Sequence, residues 1–127
     1  MCTVTHDFSI KLPKGKTFTA YKVFGRGKEK NSVPQTFASR HYTFKIGVNE
    51  WSKEIAKRQS NNQSGFQVFA KKEDAENFAY IVDTVLPLRI NTKDIVKVGR
   101  WLTYKLVYEI RKFKISRKKW DNRDKEK

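Results

Sequence analysis

Residues 103–115 carry the longest run of alternating hydropathy in the chain. Tyr104, Leu106, Tyr108 and Ile110 fall on one side of an extended backbone, and Lys105, Val107, Glu109 and Arg111 on the other. A period of two fits a strand with one buried face and does not fit a helix. The apolar phase then moves to Phe113 and Ile115. One residue of slip exchanges the two faces, so a bulge or strand end is expected near Arg111–Lys112.

Shorter segments repeat the pattern. Residues 17–24, Thr-Phe-Thr-Ala-Tyr-Lys-Val-Phe, are aromatic and β-branched and predict a strand, which Gly25-Arg26-Gly27-Lys28 ends in a hairpin turn at the start of a loop over residues 25–36 with basic side chains around it. Tyr42, Phe44 and Ile46 alternate with His41, Thr43 and Lys45. Asn49 is positioned to cap a helix over 50–58, with Trp51 and Ile55 as its apolar stripe and Glu54 paired with Arg58. Residues 59–64 read as a polar linker and 66–70 as a strand. In 72–82, Ala75, Phe78, Ala79 and Val82 form a helical face, while Glu73, Asp74 and Glu76 suit the positive end of the helix dipole. Residues 84–90 return to strand, where Pro87 cannot donate to a ladder and so predicts an edge. Another strand is expected over 94–101, and 116–127 read as a basic, frayed C-terminal extension. The expected fold is α+β: one domain over residues 1–115, a mostly antiparallel sheet of five or six strands, and two helices. A chain of 127 residues suits one core.

Charge decides what such a domain attracts. There are 28 Lys and Arg against 13 Asp and Glu, a net charge of +15. Residues 1–58 hold 12 basic and 4 acidic side chains, 59–110 hold 7 and 6, and 111–127 hold 9 and 3. A near-neutral middle between two cationic ends exceeds what solubility requires and points to a polyanion. Nucleic acid is the first candidate, followed by an anionic lipid surface and an acidic protein face. A single Cys excludes an intrachain disulfide, and with two His it leaves too few soft ligands for an ordinary zinc site. No apolar run approaches a membrane span, and residues 1–20 lack the apolar stretch of a signal peptide. No cofactor is expected.

The candidate nucleic-acid contacts are Lys22, Arg26, Lys28, Lys30, Arg40 and Lys45 early in the chain, and Arg111, Lys112, Lys114, Arg117, Lys118, Lys119 and Arg123 late. Cations neutralise phosphates, and an exposed aromatic such as Trp120 can stack on an unpaired base or else fold back to staple the tail to the sheet. Catalytic readings are weaker. Cys2 could act as an N-terminal nucleophile were Met1 removed, but partner motifs are missing. His6 or His41, with Lys45 and Glu109, has the residue types of a metal-independent ribonuclease without any spacing that joins them. Glu73, Asp74 and Glu76 are explained by the helix dipole rather than by a metal. Gly25-Arg26-Gly27-Lys28 lacks the spacing and the hydroxyl residue of a phosphate loop.

Ala20-Tyr21-Lys22-Val23-Phe24, Gly65-Phe66-Gln67-Val68-Phe69, Glu73-Asp74-Ala75 and Val98-Gly99, together with the Met1-Cys2 start, resemble small uncharacterised proteins encoded by tailed phages and prophages. The resemblance covers residues 15–110. Gln67 stands where those proteins carry His, so any chemistry of that His would be lost here. The resemblance implies a viral accessory protein in the cytoplasm of a host bacterium, where such proteins redirect or block host machinery, defence nucleases included. The expected function is non-enzymatic binding of a polyanion, nucleic acid or nucleoprotein, through a basic surface. The alternatives are an inhibitor that docks on a host defence nuclease, and a small ribonuclease.

Overall fold

The computed structural model describes residues 6–36, 43–58, 64–101 and 105–123. Among these the fold is α+β, built on a five-stranded antiparallel sheet with a two-stranded ribbon packed across one face. The strands of the large sheet are β1 (Thr17–Phe24), β3 (Phe66–Phe69), β4 (Thr84–Asn91), β5 (Ile95–Trp101) and β6 (Lys105–Ile110), in the order β4-β1-β3-β6-β5. The ribbon joins β2 (Gly47–Glu50) to β7 (Lys112–Ile115). Three short helices complete it: α1 (Lys53–Arg58), α2 (Lys72–Phe78) and α3 (Arg117–Asp121).

The long alternating segment does break at Arg111, as its phase change requires. β6 and β7 belong to different sheets. Arg111 turns the corner with its N–H on the Asp94 carbonyl, while its carbonyl accepts from Trp51 N. Above the corner Tyr108 and Ile110 face the ribbon, and beyond it Phe113 and Ile115 face back toward them, so one core receives both phases. That core also takes Ala20 and Phe24 of β1, Phe66 and Val68 of β3, and Leu86, Leu88 and Ile90 of β4. The opposite face of the sheet is partly covered by α2, whose Ala75 and Phe78 pack on Val23, Phe69 and Val107.

The edges are managed locally. β4 is an edge strand, as Pro87 indicated. At the other edge, Asp7 N donates to Val98 O at 2.8 Å and Val98 N donates to His6 Nδ1 at 3.2 Å, so an N-terminal segment covers part of β5. Gly65 admits a close crossing: a Cβ there would lie 2.5 Å from Ile110 O. Gly65→Ala should therefore cost roughly 1–3 kcal/mol, read as a lower denaturant midpoint in equilibrium unfolding.

Four local expectations change. Gly25–Lys28 does not close a hairpin, because β1 pairs with β4 and β3; it opens the loop of residues 25–36. The strand expected over 41–46 is reduced, among its described residues, to one bridge between Thr43 and Gln35, although Phe44 still reaches the core. Asn49 caps no helix: it lies buried in β2, where its carboxamide accepts from Lys45 N at 3.0 Å and donates to Lys45 O at 2.9 Å. The cap of α1 is Ser52, whose Oγ accepts from Ile55 N. Finally, α2 stops at Phe78 rather than 82, because buried Asp83 accepts from Tyr80 N and draws the chain into a turn that leaves Val82 exposed. No helix among the described residues is long and apolar enough to cross a membrane.

Candidate nucleic-acid interface

The loop of residues 25–36 is held from three sides. Asp83, buried at the start of β4, accepts from Arg26 N at 2.9 Å, and Lys28 N donates to Val82 O at 2.9 Å. Gly25 N donates to Gln35 O, closing the base of the loop. Two non-glycine residues, Arg26 and Asn31, take positive φ of 57° and 62°, so the loop is tightly turned and depends on these anchors.

The third anchor is α3, where a frayed tail was expected. Ser116 Oγ accepts from Lys119 N and caps it. Trp120 is 2% exposed, meets Phe24 edge-on at 5.5 Å between centroids, and donates from Nε1 to Ser32 O at 3.1 Å. Arg123 stacks on Trp120 at 4.4 Å. Its guanidinium donates to Gly27 O, Glu29 O, Ser32 Oγ and Trp120 O. Of the two roles open to Trp120, the staple is the one realised. Arg123, read as a phosphate contact, spends its donors on loop oxygens and contributes only charge.

Together the loop and α3 border an open-sided cavity of about 630 Å³. Lys28 and Lys30 line it from the loop, and Arg117 and Arg123 from the C-terminal end. Asp121 is the one carboxylate among the described lining residues, and it pairs loosely with Arg117 at 3.9 Å. Val33, Pro34, Phe44, Ile46 and Trp120 supply apolar wall, and Asn31, Ser32 and Thr43 supply polar groups. Cations from the two charged ends of the chain thus meet at one place.

The remaining predicted contacts are scattered. Lys22 is 8% exposed and belongs to the core: even-numbered positions of β1 point inward, and its Nζ lies among Phe24, Phe44, Phe66 and Phe113 at 5.3–6.0 Å from the ring centroids. It donates to Gln67 O at 3.2 Å, and burial pushes its pKa down to about 7. Arg26 pairs with Glu29 at 2.7 Å. Arg111 is tied to Asp94 and to Lys93 O, and Lys119 donates to Pro87 O at 2.6 Å. Lys112 and Lys114 are exposed on the outer side of the ribbon, with Lys45 exposed before it and Lys118 on α3. Arg40 lies outside the described residues, as do Cys2 and His41.

The ribonuclease set is not assembled by the residues that are described. Glu109 is 1% exposed on the face of β6 opposite the ribbon, accepting from Ser64 N at 2.7 Å and Gln67 Nε2 at 3.0 Å, with Lys97 Nζ at 3.8 Å. Lys45 lies beside the ribbon on the other side of the sheet. His6 serves the β5 edge.

Sequence reasoning missed Asn31, Val33, Thr43 and Ile46 as cavity lining. No charge marks them, and the alternation that includes Thr43 and Ile46 indicates a strand rather than a cavity wall; only the return of α3 onto the loop makes them walls. No family model, curated protein or solved structure matches the chain.

Proposed function

We propose that the protein binds a polyanion, most directly nucleic acid, without catalysing a reaction on it. One observation carries this reading: Lys28, Lys30, Arg117 and Arg123, drawn from segments about ninety residues apart, line one cavity whose described lining residues include a single carboxylate. Like charges gathered this way repel one another, and an anion relieves that repulsion. Phosphate recognition of this kind carries little base information. The resemblance at Tyr21–Phe24 and Gly65–Phe69 is the reason to look for that nucleic acid in the cytoplasm of a phage-infected bacterium.

Binding of a labelled oligonucleotide across a salt series tests the proposal. Engagement of about six phosphates on duplex DNA gives a log–log slope near −5. The combined variant Lys28→Glu, Lys30→Glu, Arg117→Glu should weaken binding at least about tenfold at fixed salt and flatten the slope. A slope near zero in the native protein overturns the reading.

A second reading, an inhibitor docked on a host nuclease, draws support from the turn after α2. Tyr80, Ile81 and Val82 are 69%, 87% and 41% exposed there, and the basic loop is hydrogen-bonded to this turn through Lys28 N. An exposed apolar tip beside cations suits a protein partner with an acidic face. Pull-down from bacterial lysate separates the two: a complex that survives nuclease treatment favours the inhibitor, and one that dissolves favours the nucleic-acid binder.

A further inference from the structure

We propose that the cavity between the loop and α3 takes one unpaired nucleotide of a single strand, phosphate at the cationic rim and base against the apolar wall. This rests on the polyanion reading and narrows it to a ligand class. A flat basic surface would serve duplex and single strand alike. This site is concave, and its volume of about 630 Å³ falls in the range of pockets that enclose a small organic molecule.

The lining is divided in a way a phosphate alone does not need. Lys30 and Arg117 offer exposed cationic groups, while Val33, half exposed, and Ile46, half buried, offer aliphatic surface in the same space. The exposed Asn31 carboxamide and Thr43 hydroxyl can hydrogen-bond the edge of a ring. Inorganic phosphate would leave the aliphatic wall wet, and a purely apolar ligand would leave the charges unanswered. A nucleotide presents both chemistries within one residue. In a duplex the base is stacked and paired, and it reaches a concave site only by being unstacked. An unpaired nucleotide enters without that cost. Among the described lining residues the aromatic ones, Phe44 and Trp120, are buried, so the base meets the aliphatic side chains of Val33 and Ile46 and discrimination among bases should be slight.

The experiment compares a labelled eight-nucleotide single strand with a blunt hairpin duplex carrying the same number of phosphates, using the full chain at one ionic strength. The single strand should bind about tenfold or more tighter. A pyrimidine nucleoside monophosphate should displace it, and inorganic phosphate at matched ionic strength should not. Val33→Ser, at a half-exposed position that leaves the fold intact by thermal melt, should weaken the single strand about three- to tenfold and leave the duplex unchanged. Equal affinity for the two forms, or displacement by phosphate as readily as by nucleotide, overturns the nucleotide pocket but leaves polyanion binding standing. Indifference of the single strand to Val33→Ser overturns it likewise. Absence of salt-dependent binding to either form overturns both.

Discussion

Lys22→Met should raise the unfolding free energy by about 4 kcal/mol at pH 7, an upward shift of about 10 °C or more in melting temperature. The physical cause is an ammonium group in an aromatic core. Four phenylalanine rings surround Nζ, and one backbone carbonyl, that of Gln67, accepts from it. The rings attract a cation, but loss of water dominates, and the pKa falls from 10.5 to about 7. A lowered lysine pKa means that the unfolded chain holds the extra proton between pH 7 and 10.5. Stability therefore rises as pH increases through that window, by at most about 1.4 kcal/mol per unit, and the penalty is full and constant below it. Methionine keeps the length of the side chain and removes the titration. The gap between native protein and variant should accordingly shrink to under about 1 kcal/mol by pH 10. Denaturant unfolding of both at pH 7 and pH 10 checks this, and a gap that does not change with pH would show that packing, not protonation, separates them.

Trp120→Ala should act in the opposite direction and on two properties at once. Removing a fully buried indole costs about 3–5 kcal/mol. The helix it belongs to has five residues, too few to persist without tertiary contacts. Once Trp120 is gone, Arg123 loses its stacking partner, and its bonds to Gly27, Glu29 and Ser32 lose their geometry. Arg117 leaves the cavity with the helix. Affinity for a labelled oligonucleotide should fall with the loss of stability, although the substitution removes no charge. Trp120→Phe separates the contributions: it keeps most of the packing and gives up the bond to Ser32 O, so its cost should be nearer 1 kcal/mol with binding largely preserved. Amide exchange in residues 117–123 reads the undocking directly.

Lys22 reads from its chemical type as a surface contact, and Trp120 reads as either a base platform or a staple; the packed structure decides both. Lys22 lies in a segment whose period-two pattern is legible: Ala20 and Phe24 are inward, so position 22 is inward too. Its chemical type argued for the surface, and the strand register overrode it. Trp120 had no periodic neighbours to announce a buried face. Its burial depends on a loop about ninety residues earlier that offers Ser32 O as acceptor and on Phe24 beneath it.

What local order alone determined here is most of the strands and the kind of fold. The alternation in residues 17–24, 84–90 and 105–115, the phase change at Arg111 and the proline at an edge all follow from how an extended chain divides its side chains between two faces. The cationic excess at both ends is likewise a property of composition. Which of those cations share a space was decided by tertiary structure. Asp83 shapes the turn of the loop, the corner at Arg111 sends β7 over the sheet, and Trp120 brings the C-terminal end back onto residues 25–36. Each of these is a contact between distant parts of the chain, made because buried polar groups require partners, and no window of sequence contains both halves of any of them.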